Sequence, residues 1–389
     1  MNIDIFSLDD YYTDEEKIVR NTIRSYLEKE IKPIIKEAWH LEKPLKFREL
    51  AKNFGNLGII APFLPEKYGC PGSNYKMFGI VSQEVERVDS ALRSFIAVSS
   101  GLVMYPIYAF GNEKQKNKYL PKLAKGELIG CFGLTEPEYG SNPAGMKTTA
   151  KWDKDRWILN GSKTWITEAD IADFAIVWAR DVDDKRIKAF IVERGSQGFT
   201  MDKIDEKGSM RAGGVGSLGM VDCSISEENR LTEAVGLKSA LSCLDRARYG
   251  ISWGSIGAAK DCLNTALEYS KERVQFGKPI ASFQLVQEKL VNMLIEIVKG
   301  ELLCLRLSEL MDKNIAKPEQ ISLAKKNNVR VARYCAKTAR EILGANGISL
   351  DYSPIRHMAN IETVYTYEGT DDIHTLILGR VITGYNAFN

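Results

Sequence analysis

The sequence predicts a mostly α-helical chain with a central antiparallel β-domain, on three observations. Apolar residues recur at helical spacing up to about residue 127 and again from about residue 233. Between these regions, short β-branched and aromatic runs alternate with turn signals. The last third carries long helical segments with short connections, the pattern of an up-and-down bundle. The expected organisation is an N-terminal helical domain over 1–127, a β-domain over 128–232 and a C-terminal four-helix bundle over 233–389.

In the first region, Thr13 with Glu16 forms a capping-box signature, and Ile18, Val19, Ile23, Tyr26, Leu27 and Ile31 follow on one face. Helices are expected over Phe47–Leu57, Tyr75–Ser90, Ser99–Phe110 and Asn112–Leu123, with breaks at Pro62–Pro65 and Gly69–Gly72. In the second region, Asp153-Lys154-Asp155 reads as a hairpin connection, and Asn160-Gly161 reads as a tight turn. Further strands are expected over Phe174–Arg180, Lys188–Glu193 and Gly219–Ile225. The bundle helices are expected over Leu241–Glu272, from Phe283 through Ile297, over Ile321–Leu343 and over Asp371–Ile382.

With 389 residues, the chain can bury two or three sizeable cores. Its 53 basic and 51 acidic side chains nearly cancel, which argues against a general nucleic-acid binder. No apolar run is read as reaching membrane-spanning length, so no membrane insertion is expected. The acidic segment Met1 to Asp14 lacks the features of a signal or transit peptide. Seven scattered cysteines without a C-x-x-C pair fit a reduced, cytoplasmic protein. His40, His357 and His374 lie far apart in sequence, and no metal site is expected.

Gly214 to Gly219 matches G-x-G-x-x-G but runs into a strand instead of opening a helix. It is expected to be a flexible loop without a nucleotide. Four other stretches carry chemistry. Cys131 to Pro143 offers backbone N–H groups and hydroxyls suited to a flat heterocycle and a pyrophosphate, or is a plain connector. In Lys163-Thr164-Trp165-Ile166-Thr167, the indole can cover a ring and a hydroxyl can reach a ring nitrogen, or Trp165 is core filler. Arg273 to Pro279, followed by Gln284, presents an Arg that either pairs with a phosphate or serves a helix end. Tyr367-Glu368-Gly369-Thr370 is a turn in which Glu368 is either a solvated carboxylate or a base with its pKa raised by burial.

These stretches, with Glu341 to Gly347, occur in the order and at the intervals of the acyl-CoA dehydrogenases. The chain resembles that family over essentially its whole length, and most resembles its glutaryl-CoA dehydrogenase branch. The resemblance implies FAD held by Phe132, Gly133, Leu134 and Thr135 on to Ser141, and by Trp165, Ile166 and Thr167. It further implies that Arg273, Gln284, Glu341, Ile342, Leu343, Gly344 and Ala345 reach the FAD of a neighbouring subunit. Thr370 and Asp372 would also touch FAD. Glu368 matches the catalytic base, Asp245 and Arg248 match CoA-chain contacts, and Ser141 and Gly369 lie at the substrate. In Glu84 to Ser94, Arg93 matches the residue that binds a distal carboxylate, with Glu86 and Ser94 beside it. Ser242 stands where the family has Gly, and Leu92, Phe95 and Ile96 stand where the branch has Tyr, Ala and Met. The implied activity is α,β-dehydrogenation of glutaryl-CoA with decarboxylation to crotonyl-CoA. The implied acceptor is an electron-transferring flavoprotein, and the implied assembly is a homotetramer. A short straight-chain acyl-CoA dehydrogenase or oxidase is the alternative activity, and a redox-silent CoA-binding scaffold is the alternative of another class.

Overall fold

Thr13 opens the first helix through the reciprocal bonds its sequence prescribes. Its hydroxyl accepts from the Glu16 N–H at 3.2 Å, and the Glu16 carboxylate accepts from the Thr13 N–H at 2.9 Å. The structure is a computed structural model describing residues 4–387, so the first three positions of the acidic N-terminal segment lie outside the described residues. The N-terminal helices are α1 (Asp14–Tyr26), α2 (Lys32–His40), α3 (Phe47–Asn56), α4 (Tyr75–Val88), α5 (Ser90–Ala97), α6 (Tyr105–Phe110) and α7 (Glu113–Ala124).

The junction of α4 and α5 departs from expectation. Asp89 is extended at φ −162° and interrupts the helix for one residue. Its Oδ1 caps α5 by accepting from the Ala91 N–H at 2.9 Å. Its Oδ2 accepts from Arg356 Nε at 3.0 Å and Asn360 Nδ2 at 2.9 Å. The helical path resumes at Ser90, widens into π-type turns over Val98–Met104 and runs to Phe110. Contrary to the sequence reading, Ser90–Phe110 is therefore long and apolar enough to cross a membrane, but 94% of its most apolar window is buried within the protein.

The central strands are β1 (Gly130–Gly133), β2 (Thr149–Asp153), β3 (Arg156–Thr167), β4 (Phe174–Asp181), β5 (Ile187–Glu193), β6 (Phe199–Lys203), β7 (Val215–Ser226) and β8 (Arg230–Val235). They form one sheet in the order β6-β7-β3-β2-β4-β5-β8, with β1 beside β4. Most pairs are antiparallel as expected, but β4 runs parallel to both β1 and β2, which makes the sheet mixed. Lys154 and Asp155 do connect β2 to β3. Asn160-Gly161 is not a turn, because β3 passes straight through it with a register shift between Leu159 and Gly161. The positive φ that suits Gly161 to a turn serves a β-bulge equally well. Val215 to Gly219, expected to be a loop, is the start of β7.

The C-terminal region contains α8 (Leu237–Glu272), a short hairpin of β9 (Val274–Gln275) and β10 (Lys278–Pro279), then α9 (Gln284–Asp312), α10 (Pro318–Ile342), α11 (Ser353–Thr366) and α12 (Asp371–Thr383). Among the described residues these are five helices where four were expected. α11 escapes a periodicity reading because its buried face carries Arg356, His357 and Asn360 as well as Ile361 and Val364. α8 packs closely on α4, and side chains at two glycines would prevent it. A methyl on Gly79 would overlap Trp253, and one on Gly254 would overlap the Glu86 carboxylate.

Asp89 joins a helix cap to a buried ion pair with Arg356. Removing one partner of such a pair costs about 3–5 kcal/mol. Asp89→Ala should therefore lower the thermal unfolding midpoint clearly, and Asp89→Asn, which keeps a capping oxygen, should lower it less. Wild-type midpoints in both variants would show that the junction does not depend on Asp89.

Candidate active site

The turn between α11 and α12 holds Glu368 in an uncommon backbone state, with φ 52° at Glu368 and 94° at Gly369. Thr370 closes the turn by capping α12, its hydroxyl accepting from the Ile373 N–H at 3.2 Å. Three consecutive carbonyls are held by buried cations. Lys325 Nζ donates to Tyr367 O at 3.1 Å and to Gly369 O at 2.8 Å, and Arg248 Nε donates to Glu368 O at 2.7 Å. Arg248 also pairs with Asp245 at 3.2 Å.

Glu368 Oε2 is buried and has no partner among the described residues. Burial raises its pKa, opposed by Arg93, Arg248 and Lys325, with Glu86 adding to the rise. Arg93 is fully buried, which excludes an ordinary surface role. Its Nε bonds Glu86 Oε2 at 2.7 Å, its Nη2 bonds the Tyr367 hydroxyl, and its guanidinium lies 5.4 Å from the Tyr367 ring centre. Arg93 Nη1 and Glu86 Oε1 remain buried and unpartnered among the described residues. Glu86 and Arg93 meet across the Asp89 break, not along one continuous helix. Ser94 is buried beside them in α5. Phe95 faces elsewhere, stacked on Phe47 with ring centres 5.0 Å apart.

Two residues of this site were missed in sequence. Lys325 is buried, and burial, first, pushes it down to about 7. Its signal was its place on the apolar face of α10, four residues after Ile321. His374 is buried with both ring nitrogens unpartnered among the described residues, and burial drives its pKa down to about 3. No cluster of three metal-ligating side chains occurs among the described residues.

A second group forms where β1 and β3 end side by side. The Thr164 N–H donates to Thr135 O at 2.9 Å. Lys163 Nζ donates to Leu134 O at 3.1 Å and to Glu136 Oε1 at 2.8 Å. Glu136 in turn accepts from the Lys147 and Thr148 N–H groups, which folds the 134–148 loop around one buried ion pair. Trp165, at φ 59° in a second irregularity of β3, stands 62% exposed and is not core filler. Thr135 and Thr167 are half-buried and Ser141 is exposed. An exposed indole beside hydroxyls and strand-end backbone fits the flat, polar-edged ring of a flavin. Gly133, the last residue of β1, has only backbone to offer there. Phe132, Leu134 and Ile166 turn their side chains into the core, Phe132 against Trp178, so they too can offer a ligand only backbone.

The third group sits at the far end of the bundle. Arg273 and Gln284 are exposed at either end of the β9–β10 hairpin. Lys289 pairs with Glu341 at 3.1 Å. Gly344 and Ala345 are exposed, but Ile342 and Leu343 are buried, which removes their side chains from any ligand contact. Arg248 on α8 and Arg273, which caps the C-terminus of that helix, lie 25 positions apart, about 37 Å at 1.5 Å per residue. In a single chain this third group is thus remote from Glu368. Asp372 is exposed on α12, and Thr370 is half-buried.

Residues 13–127, 131–223 and 234–383 match the N-terminal, middle and C-terminal domain models of acyl-CoA dehydrogenases. The mitochondrial short-chain specific acyl-CoA dehydrogenase of Homo sapiens is 32% identical over 380 residues, covering 96% of this chain and 92% of that protein. The glutaryl-CoA dehydrogenase of Desulfococcus multivorans is 32% identical over 383 residues, covering 96% and 98%. The crystal structure of a glutaryl-CoA dehydrogenase from Mycobacterium smegmatis in complex with FADH2 is 44% identical with a TM-score of 0.96, covering 99% of this chain and 98% of that one. A chain that matches all three domains in order over nearly its whole length belongs to the acyl-CoA dehydrogenase family.

Proposed function

We propose that the chain is an FAD-dependent glutaryl-CoA dehydrogenase. The observation that carries the choice of substrate is Arg93, fully buried near Glu368 with Nη1 unused. A guanidinium presents a planar fork to a carboxylate, and the distal carboxylate of glutaryl-CoA supplies the acceptor that Nη1 lacks. The similarity to the glutaryl-CoA dehydrogenase of M. smegmatis supports the same reading.

In this reading Glu368 removes the α-proton of the thioester. Burial brings its pKa up toward working pH, where a carboxylate is a more effective base. The Glu368 N–H donates to no group among the described residues and is free to receive the thioester oxygen as it gains negative charge. FAD, when bound, supplies the two-electron acceptor for the hydride leaving the β-carbon. The product is then glutaconyl-CoA, which loses its distal carboxylate as CO2 and takes up a proton to give crotonyl-CoA. Thr135, Trp165 and Thr167 would hold the flavin ring, with backbone from Gly133 and Leu134. The acceptor in turnover is an electron-transferring flavoprotein. The buried, unpaired state of all seven cysteines fits a cytoplasmic setting.

One observation favours the short-chain alternative. Arg93 already pairs with Glu86 and Tyr367, so it can serve as a purely structural ion pair. The two readings separate in Arg93→Met. For a glutaryl enzyme, kcat/KM for glutaryl-CoA falls by about 10-fold or more while butyryl-CoA is spared or improved. For a structural pair, both substrates lose together. Wild-type protein that oxidises butyryl-CoA but neither binds nor turns over glutaryl-CoA removes the glutaryl assignment.

The assembly proposed is a homotetramer in which Arg273 and Gln284 serve a neighbour's FAD. Its support is the 37 Å or so that separates the two ends of the machinery on α8. Exposed Phe276, Leu285, Val291 and Ile295 along the hairpin and α9 add to it, since such apolar residues commonly mark subunit contacts. Binding and oligomerisation are then linked by mass action. Arg273→Ala should lose FAD on dilution and melt earlier, and an FAD affinity equal to that of wild type would count against a shared site.

The base itself is tested by Glu368→Gln. The amide keeps the volume but cannot accept a proton, so FAD should stay bound while turnover drops about 10²–10⁴-fold. Rapid bleaching of the flavin by substrate in that variant would exclude Glu368 as the base.

A further inference from the structure

We propose that Lys325 is a positioning residue for the α-proton step, aiming the Glu368 N–H and holding its carboxylate in place through the two carbonyls it bridges. The proposal rests on Glu368 being the base and its N–H being the donor to the thioester oxygen.

The geometry comes first. Lys325 Nζ reaches Tyr367 O at 3.1 Å and Gly369 O at 2.8 Å, and so spans Glu368 from one carbonyl to the next but one. In a trans peptide the C=O and N–H point in opposite directions. A cation seated on Tyr367 C=O therefore fixes the Glu368 N–H of the same peptide to point away from Lys325. It also polarises that peptide, which makes the N–H a stronger donor. The left-handed backbone at Glu368 is one that non-glycine residues seldom adopt unaided. Arg248 completes the restraint from α8 by holding the carbonyl in between.

The electrostatics point the same way. The charged and titratable groups that act on Lys325, or that it acts on, are Glu368 in the turn, Asp371 and His374 on α12, Arg248 on α8 and Arg93 on α5; behind them stand Lys326 beside Asp371, Asp245 beside Arg248 and Glu86 beside Arg93. Burial weakens the Lys325 charge most, Arg248 and Arg93 add to that, and Glu368 and Asp371 sustain it. The ammonium in turn favours the ionised form of Glu368. Removing it should shift the ionisation of Glu368 to higher pH.

The test isolates the proton step. Holoenzyme whose flavin has been chemically reduced cannot accept hydride, so incubation in D2O with glutaryl-CoA or butyryl-CoA, whichever the wild type turns over, reads only α-hydrogen exchange by mass spectrometry. Lys325→Met should retain FAD and bind the thioester within about threefold of wild type, but exchange about 10²-fold more slowly, the scale of one lost oxyanion contribution. The acid limb of its exchange rate should move to higher pH, and Lys325→Arg should recover part of the rate. Exchange at the wild-type rate with an unmoved limb overturns the proposal. If Lys325→Met loses its fold, Lys325→Gln keeps a donor without the charge, and an unmoved limb in that variant overturns it equally. Glu368→Gln, run alongside, should not exchange. If it does, the reading of the base fails, whatever Lys325 does.

Discussion

The site depends on charge kept out of water. Arg93, Arg248 and Lys325 surround one carboxylate, and each is buried. An isolated ion in such surroundings costs several kcal/mol, so every one needs a partner. The partners come from distant elements: Glu86 on α4, Asp245 on α8, and the carbonyls of Tyr367, Glu368 and Gly369. Once the helices are packed to satisfy these cations, the turn around Glu368 has little freedom left. The same packing needs the bare backbone of Gly254, since any side chain there would collide with the Glu86 carboxylate.

Some of this could be read directly from the residues. The capping box at Thr13 depends on two side chains three positions apart, and it forms as written. Glu368 could be singled out because a carboxylate beside a glycine in a turn has few ordinary tasks, and because four other stretches kept it company. Arg93 gained its importance from the string around it, not from its own chemistry. Its partner Glu86 was legible there too, and the pair forms, but not the path between them, because the break at Asp89 depends on Arg356 and Asn360, more than 250 residues downstream.

The misses share a cause, which is that tertiary partners override local pattern. Lys325 reads as a surface cation until three backbone carbonyls converge on it and Arg248. α11 hides because a polar face can be buried when Asp89 and Asp261 are there to receive it. Asn160-Gly161 has the chemistry of a turn, but β7 pairs with β3 on both sides of it, so the strand bulges and continues. Ile342 and Leu343 match a family pattern by position while their side chains fill the core.

The helical run Ser90–Phe110 has a consequence for how the chain is made. It is sheltered partly by α8, which Gly101 meets at Ala247. At a synthesis rate of about 5–20 residues per second, that shelter emerges from the ribosome roughly 7–30 s after the run itself. During this interval the nascent chain displays an apolar stretch without the α8 part of its cover. Arg93 lies inside that stretch. A charge so near the start of an apolar helix can reach the water interface at little cost, so what keeps the segment in the protein is its burial against α8 and the neighbouring elements.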